Sequence, residues 1–243
     1  MKADIRCRQL FIYLDEAGYY RPVKELDFRV WLNSYVTGSE YAPRINTSTV
    51  RELFNQLLTA PDIQMTFDGM DPEQSFVNTL NGVFDVRTGK MFSHSSKYLF
   101  TNTLSGNYVG VKKPEPAQYL RWLWSLASED QDSFDLLVAS ISYMLSNYHT
   151  AKKFFYLFGK QHSGKSRLLR LIDMLVGEYT ASHIALEDMS DPHVACEFYG
   201  KKINTCAERE PGKILRRTKI IKELSGGDMI DANPKGLPHF TFK

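Results

Sequence analysis

An α/β core, preceded by a small α+β unit and a helical linker, is the fold class this sequence predicts, and three consecutive features carry the prediction. Residues 154–158, Phe-Phe-Tyr-Leu-Phe, are uniformly apolar, as a short strand buried on both faces should be. Residues 159–166 read Gly-Lys-Gln-His-Ser-Gly-Lys-Ser and match G-x-x-x-x-G-K-[ST]. Behind them Leu168, Leu169, Leu171, Ile172, Leu175 and Val176 recur at helical spacing up to Gly177, where a helix would stop. Strand, glycine-bounded turn and amphipathic helix in that order form the P-loop arrangement of nucleotide-binding proteins.

The chemistry of such a turn is anion capture. Glycines let the backbone curl until successive N–H groups point at one phosphate, and the following helix adds its positive N-terminal end. The candidate nucleotide contacts are therefore Gly159, Lys160, Gln161, His162, Ser163, Gly164, Lys165, Ser166 and Arg167. Lys165 is placed to reach the β- and γ-phosphates, and the Ser166 hydroxyl to ligate Mg²⁺. The competing reading is a glycine-rich turn with an incidental lysine.

Composition narrows the class. At 243 residues and 43% apolar, the chain can bury a sizeable core and holds more than one unit. A net charge of +2 gives no global polycation, so any nucleic-acid surface must come from local patches. Cys7, Cys196 and Cys206 lack C-x-x-C spacing, which argues against zinc and against a secreted disulfide framework and points to a reducing cytoplasm. The apolar run Leu10–Leu14 is too short for a signal-peptide core, and no segment reaches transmembrane length, so no membrane partner is expected.

The elements come in this order. Residues 9–23 read as a hairpin turning through Asp15-Glu-Ala-Gly18, and 24–36 as a helix. A stronger helix is predicted over 49–59, with Thr49 and Glu52 at capping-box spacing and a Val50, Leu53, Phe54, Leu57, Leu58 stripe suited to core packing. Residues 80–93 form a second predicted hairpin, and Pro114 and Pro116 mark a break near 111–117. Helices are expected over 117–128 and 131–148; Trp122 and Trp124 cannot share one helical face. These signals divide the chain into an α+β unit over 1–112, a helical linker or collar over 113–150, and an ATPase-type unit over 151–243.

Beyond the loop, Asp191-Pro192 opens a predicted helix that ends at Gly200. A strand over 201–207 then terminates in Glu208-Arg209-Glu210. P-loop ATPases need an acidic residue at the tip of a strand near the loop, to hold Mg²⁺ and polarise the attacking water, so Glu208 is the second catalytic candidate beside Lys165. The alternative is that Glu208 and Glu210 are solvated charges flanking Arg209. A basic helix comes next, with Lys213, Arg216, Arg217, Lys219 and Lys222. Strands over 229–232 and 237–242 flank the turn Asn233-Pro-Lys-Gly236, which places Lys235 at a hairpin tip. Projecting cations bind phosphate backbones without regard to sequence, so this basic helix and Lys235 are candidates for DNA contact; the alternative is a basic face that is simply solvated. Tyr199, Phe240 and Phe242 could stack on bases, but core packing is the favoured use of these rings.

Taken together, FFYLFGKQHSGKSRLLRLIDMLVGEY, KKINTCAERE and KIIKELSGGDMIDANPKGLPHFTF resemble the superfamily 3 helicases of the phage and plasmid primase–helicase type. The upstream block TLNGVFDVRTGKMFSHSSKYLFTNTLSGNYV resembles the small poxvirus-primase-like domain that precedes the helicase there. The resemblance implies an AAA+-like P-loop NTPase that forms a homo-hexameric ring on DNA and couples hydrolysis of ATP, with Mg²⁺, to unwinding in a bacterial or phage-infected cell. It implies that Lys165 and Ser166 serve the Walker A role, that Glu208 holds the Walker B position, and that Lys222 and Lys235 contact DNA. In that family a strand ending in asparagine and an arginine finger come after the hairpin; the sequence ends at Lys243 before either, so a C-terminally incomplete ATPase unit is expected. The alternative function is a non-catalytic module that binds ATP or DNA and docks on intact helicase subunits. A P-loop kinase of a small metabolite fits less well, because no lid segment accompanies the basic hairpin.

Overall fold

The computed structural model describes residues 1–66, 69–71, 74–110, 118–148, 150–177, 179–206 and 219–242. It is a mixed α/β molecule with four small sheets among these residues. Strands β1 (Lys2–Asp4), β2 (Gln9–Leu14) and β3 (Tyr19–Val23) form an antiparallel meander. The β2–β3 turn closes at Gly18, whose φ of +70° suits glycine. Helices α1 (Glu25–Val36) and α2 (Thr47–Thr59) lie on this sheet, and Ala3, Leu10, Val23, Phe28, Val50, Phe54 and Leu58 make one buried core.

Helix α2 starts two residues before the predicted Thr49. Asn46 caps it, its side-chain oxygen accepting from the Ser48 and Thr49 amides at 3.0 Å each. An Asn cap that takes two orphan amides outcompetes the Thr49–Glu52 box read from spacing. The apolar stripe falls as expected, with Val50, Phe54 and Leu58 buried.

The second sheet carries a strand that the periodicity did not single out. β4 (Phe76–Thr79) pairs with β5 (Gly82–Asp85), which pairs with β6 (Lys90–Phe92). The predicted hairpin over 80–93 is therefore the second half of a meander, and Leu80-Asn81 is a turn rather than strand. Asp85 organises the β5–β6 turn by accepting from the Arg87 amide at 3.0 Å and the Thr88 hydroxyl at 2.7 Å. Buried Asn78 links the two sheets, its amide donating to the carbonyls of Ala17, Gly18 and Asn102.

Helices α3 (Gln118–Leu126) and α4 (Gln131–Leu145) occupy the predicted linker, with Asp130 capping α4 through the Ser133 amide at 2.9 Å. Helix α5 (Lys165–Val176) packs Leu168 and Ile172 against Leu123 and Ile141. Strand β7 (Ala181–Ser182) pairs in parallel with β8 (Ile203–Asn204); α6 (Pro192–Ala195) lies between them in sequence. Asp191 caps α6, but a 3-10 turn over Cys196–Phe198 replaces the rest of the helix predicted to Gly200. Helix α7 (Lys219–Gly226) leads to an antiparallel pair, β9 (Ile230–Ala232) and β10 (Phe240–Phe242).

One expectation fails outright. Residues 154–158 form no strand and are not buried on both faces; Phe154, Tyr156 and Phe158 are 66%, 78% and 92% exposed. Their backbone makes no ladder among the described residues, and without a neighbouring strand extended chain has neither hydrogen bonds nor cover. Only the alternate residues pack: Phe155 meets Tyr143, with ring centroids 6.0 Å apart, and Leu157 joins the α3–α4–α5 core.

Candidate nucleotide site

The loop is built from its helix backward. Leu168, Ile172 and Val176, one turn apart on α5, are buried and fix the helix. Its N-cap is Gly164, at φ +95° and ψ 0°, a conformation suited to glycine. A Cβ there would stand 2.8 Å from Leu126 Cδ2 and 3.9 Å from the Trp122 ring, so α3 presses directly on the loop. His162 also adopts positive φ, and the Ser163 amide donates to the Lys160 carbonyl at 3.3 Å, which closes the turn.

Lys165 is the first residue of α5, and its ammonium folds back over the turn. Nζ donates to the carbonyls of Gly159 at 3.0 Å and Lys160 at 2.9 Å. Two of its three donors are thus held on the loop, with the charge beside the positive end of α5. Lys160, Gln161, His162, Ser163, Ser166 and Arg167 are all exposed. Arg167 places its guanidinium 5.6 Å from the centre of the Trp122 ring, a cation–π contact. This arrangement can receive a phosphate: a cation, the first-turn amides of a helix, and the exposed Ser166 hydroxyl suited to a hard Mg²⁺ ion.

Glu208 lies outside the described residues, as do Arg209, Glu210, Lys213, Arg216 and Arg217. The strand leading to Glu208 is shorter than the predicted 201–207, being β8 alone. Thr205, directly after β8, stitches that strand to the loop helix. Its hydroxyl donates to Asp173 of α5 at 2.7 Å, and His183 Nδ1 lies 2.9 Å from Thr205 Oγ1 and 4.0 Å from Asp173 Oδ2. Sequence reasoning missed this trio. Asp173 reads as a solvated position on α5, and no spacing links it to Thr205, 32 residues away.

Lys202, just before β8, is also pinned. Nζ donates to Asn147 at 2.5 Å, and Asn147 donates to the Phe76 carbonyl of β4 at 3.1 Å. Enclosure pushes the Lys202 ammonium down to about 8, with Asp71 pulling it back up. Desolvation likewise raises the Asp71 carboxyl, which accepts from the Thr101 amide at 3.2 Å.

Among the DNA-contact candidates, Lys222 is exposed on α7 and Lys235 is exposed in the loop joining β9 and β10. Neither ammonium is paired among the described residues, whereas Lys219 meets Glu223 at 2.9 Å. The base of the Lys235 loop is anchored: the Asn233 amide donates to the Pro192 carbonyl at 3.0 Å, and His193 Nδ1 lies 2.5 Å from the Asn233 carbonyl. Tyr199, Phe240 and Phe242 form an edge-to-face cluster, with Tyr199 centroid distances of 5.2 and 5.4 Å. Phe240 and Phe242 are buried in the C-terminal core, so packing is what these rings do. No group of three or more His, Cys, Asp or Glu among the described residues could hold a metal ion, and none of the described helices is long and apolar enough to cross a membrane.

Two family models match separate stretches of the chain. Residues 18–125 match the family described as D5 N terminal like, the N-terminal domain of phage and plasmid primase–helicase proteins. Residues 157–243, which contain the loop, β8 and the hairpin, match a family of unknown function (DUF5906). The first family is associated with primase–helicase enzymes, and the match suggests a replication-related function.

Proposed function

We propose that this chain is the ATP-binding portion of a replicative DNA helicase of the phage and plasmid primase–helicase type, coupling ATP hydrolysis to unwinding. The observation that carries the reading is the Lys165 ammonium held over the 159–164 turn at the head of α5. The fold assigned with it is an AAA+-like P-loop NTPase core. Lys165 binds the β- and γ-phosphates, Ser166 holds Mg²⁺, and Glu208 completes the metal site and orients the attacking water. An ion held by Ser166 and Glu208 would screen the phosphate charge. Lys235, on its anchored loop, and Lys222 track the DNA backbone, in a ring of identical subunits in the bacterial or phage-infected cytoplasm. The test is Lys165→Ala: Mg²⁺-dependent ATP affinity and any DNA-stimulated phosphate release are expected to disappear. Unchanged ATP affinity refutes the site.

A second reading, a module that binds ATP or DNA without turnover, is favoured by one observation: the run entering the loop, 154–158, has no strand beside it among the described residues. Clear ATPase activity of the purified chain would dispose of it.

A further inference from the structure

We propose that Trp122 of α3 forms the base-side wall of the nucleotide site whose phosphates sit on residues 159–166. The inference rests on the reading just given and adds a residue from a different part of the chain. Three observations converge. First, α3 touches the loop itself: Trp122 Nε1 and Cζ2 both lie 3.9 Å from where a Cβ would stand on Gly164, so the indole edge borders the last glycine of the cradle. Second, the ring face beside the loop already holds a flat cation, the Arg167 guanidinium at 5.6 Å. A surface that stacks a planar guanidinium also suits a planar heterocycle. Third, the wall continues outward along α3. Exposed Tyr119, one turn earlier, has its ring centroid 6.1 Å from that of Trp122 at an interplanar angle of 41°.

Trp122 is not spent on packing alone. It is half-buried, its inner side against the α3–α4–α5 core, and its indole N–H donates no hydrogen bond among the described residues. A nucleotide whose phosphate tail reaches the Lys165 ammonium carries its ribose and base at the other end of that tail. On the α3 side of Gly164 it meets the indole N–H and ring face. The base displaces the Arg167 guanidinium, and that leaves Arg167, immediately after Ser166, free for the phosphates.

The experiment separates base from phosphate. In a chain with Trp31→Phe and Trp124→Phe, Trp122 is the sole tryptophan, and both ATP and inorganic tripolyphosphate are titrated with Mg²⁺. ATP is expected to quench Trp122 emission strongly and tripolyphosphate weakly. Trp122→Ala is expected to weaken ATP about fivefold or more, the effect of losing one base–aromatic stack, and to leave tripolyphosphate affinity unchanged. Trp122→Leu, which keeps apolar bulk against the core, is expected to give the same split. If either variant weakens both ligands equally, or spares ATP, the wall assignment is overturned while the loop reading stands. If both ligands bind as well after Lys165→Ala, the loop reading falls and this inference with it.

Discussion

Replacing Gly164 by alanine probes the loop most directly, because two separable penalties meet there. The backbone sits at φ +95°, and holding an L-residue in left-handed geometry costs roughly 1–2 kcal/mol. The new methyl would stand 2.8 Å from Leu126 Cδ2, a contact that forces movement. Overpacking of that kind costs about 1–3 kcal/mol, and the low end applies because the tip of a leucine can swing away. Gly164→Ala is therefore expected to destabilise by about 2–3 kcal/mol. Urea unfolding followed by circular dichroism measures it. In a Leu126→Ala background only the backbone cost remains, so the same substitution should then cost about 1–2 kcal/mol. Gly159→Ala is the control: its φ is not positive, and the nearest atom to the new Cβ is the movable Ser163 Oγ at 3.0 Å. ATP affinity, measured on the folded fraction, should fall at least tenfold in Gly164→Ala, because the first-turn amides shift with the cap. Equal costs in both backgrounds, or a Gly164→Ala chain as stable as wild type, would refute the geometry.

Two further perturbations report on other parts of the chain. Lys202 titrates near 8 in the fold against 10.5 unfolded, so between those pH values the unfolded chain binds more protons and stability rises with pH. The gain is on the order of 3 kcal/mol at 1.36 kcal/mol per pH unit, and it should be absent in Lys202→Met; parallel pH profiles of the two chains would contradict it. For Lys235→Ala, DNA binding should weaken about equally on unrelated sequences, and the slope of log K against log salt should fall by about one. A sequence-selective loss would mean that Lys235 reads bases instead.

Helices proved legible where an apolar stripe repeats, as in α2, α4 and α5, although the Asn46 and Asp130 caps were not read. Their buried residues are the periodic ones, because burial of one face dominates helix stability in a folded chain. The turn before α5 was legible in its glycines only as far as Gly164, which caps the helix at φ +95°. Strand β4 was missed because Phe76-Val-Asn-Thr79 lacks alternation: its most buried side chain is polar Asn78, held by three carbonyls from distant segments. The Asp173–Thr205–His183 trio and the Lys202–Asn147 contact were equally silent, since each joins residues more than twenty apart through hydrogen bonds that leave no periodic trace. Trp122 was visible only as half of an awkward pair; its partner Trp124 packs edge-on to Phe134 at 5.4 Å, while Trp122 turns to the loop.

The run 154–158 shows what uniform apolarity means here. It marks a segment whose two faces and two edges all call for cover, and the described residues supply one face, through Phe155 and Leu157. Three outward aromatic rings remain, each able to bury about 150–250 Å², which at about 25 cal/mol per Å² amounts to several kcal/mol for whatever strand and layer close over them. That free energy bears on the proposed nucleotide site, because Gly159 comes directly after Phe158 and the loop's first carbonyl is a Lys165 acceptor. The helix end of the loop is fixed by packing; the strand end is held by two side chains. The two proposed readings therefore diverge at a physical point: the helicase reading calls for cover on both sides of 154–158, whereas the module reading rests on the helix end and Lys165 alone.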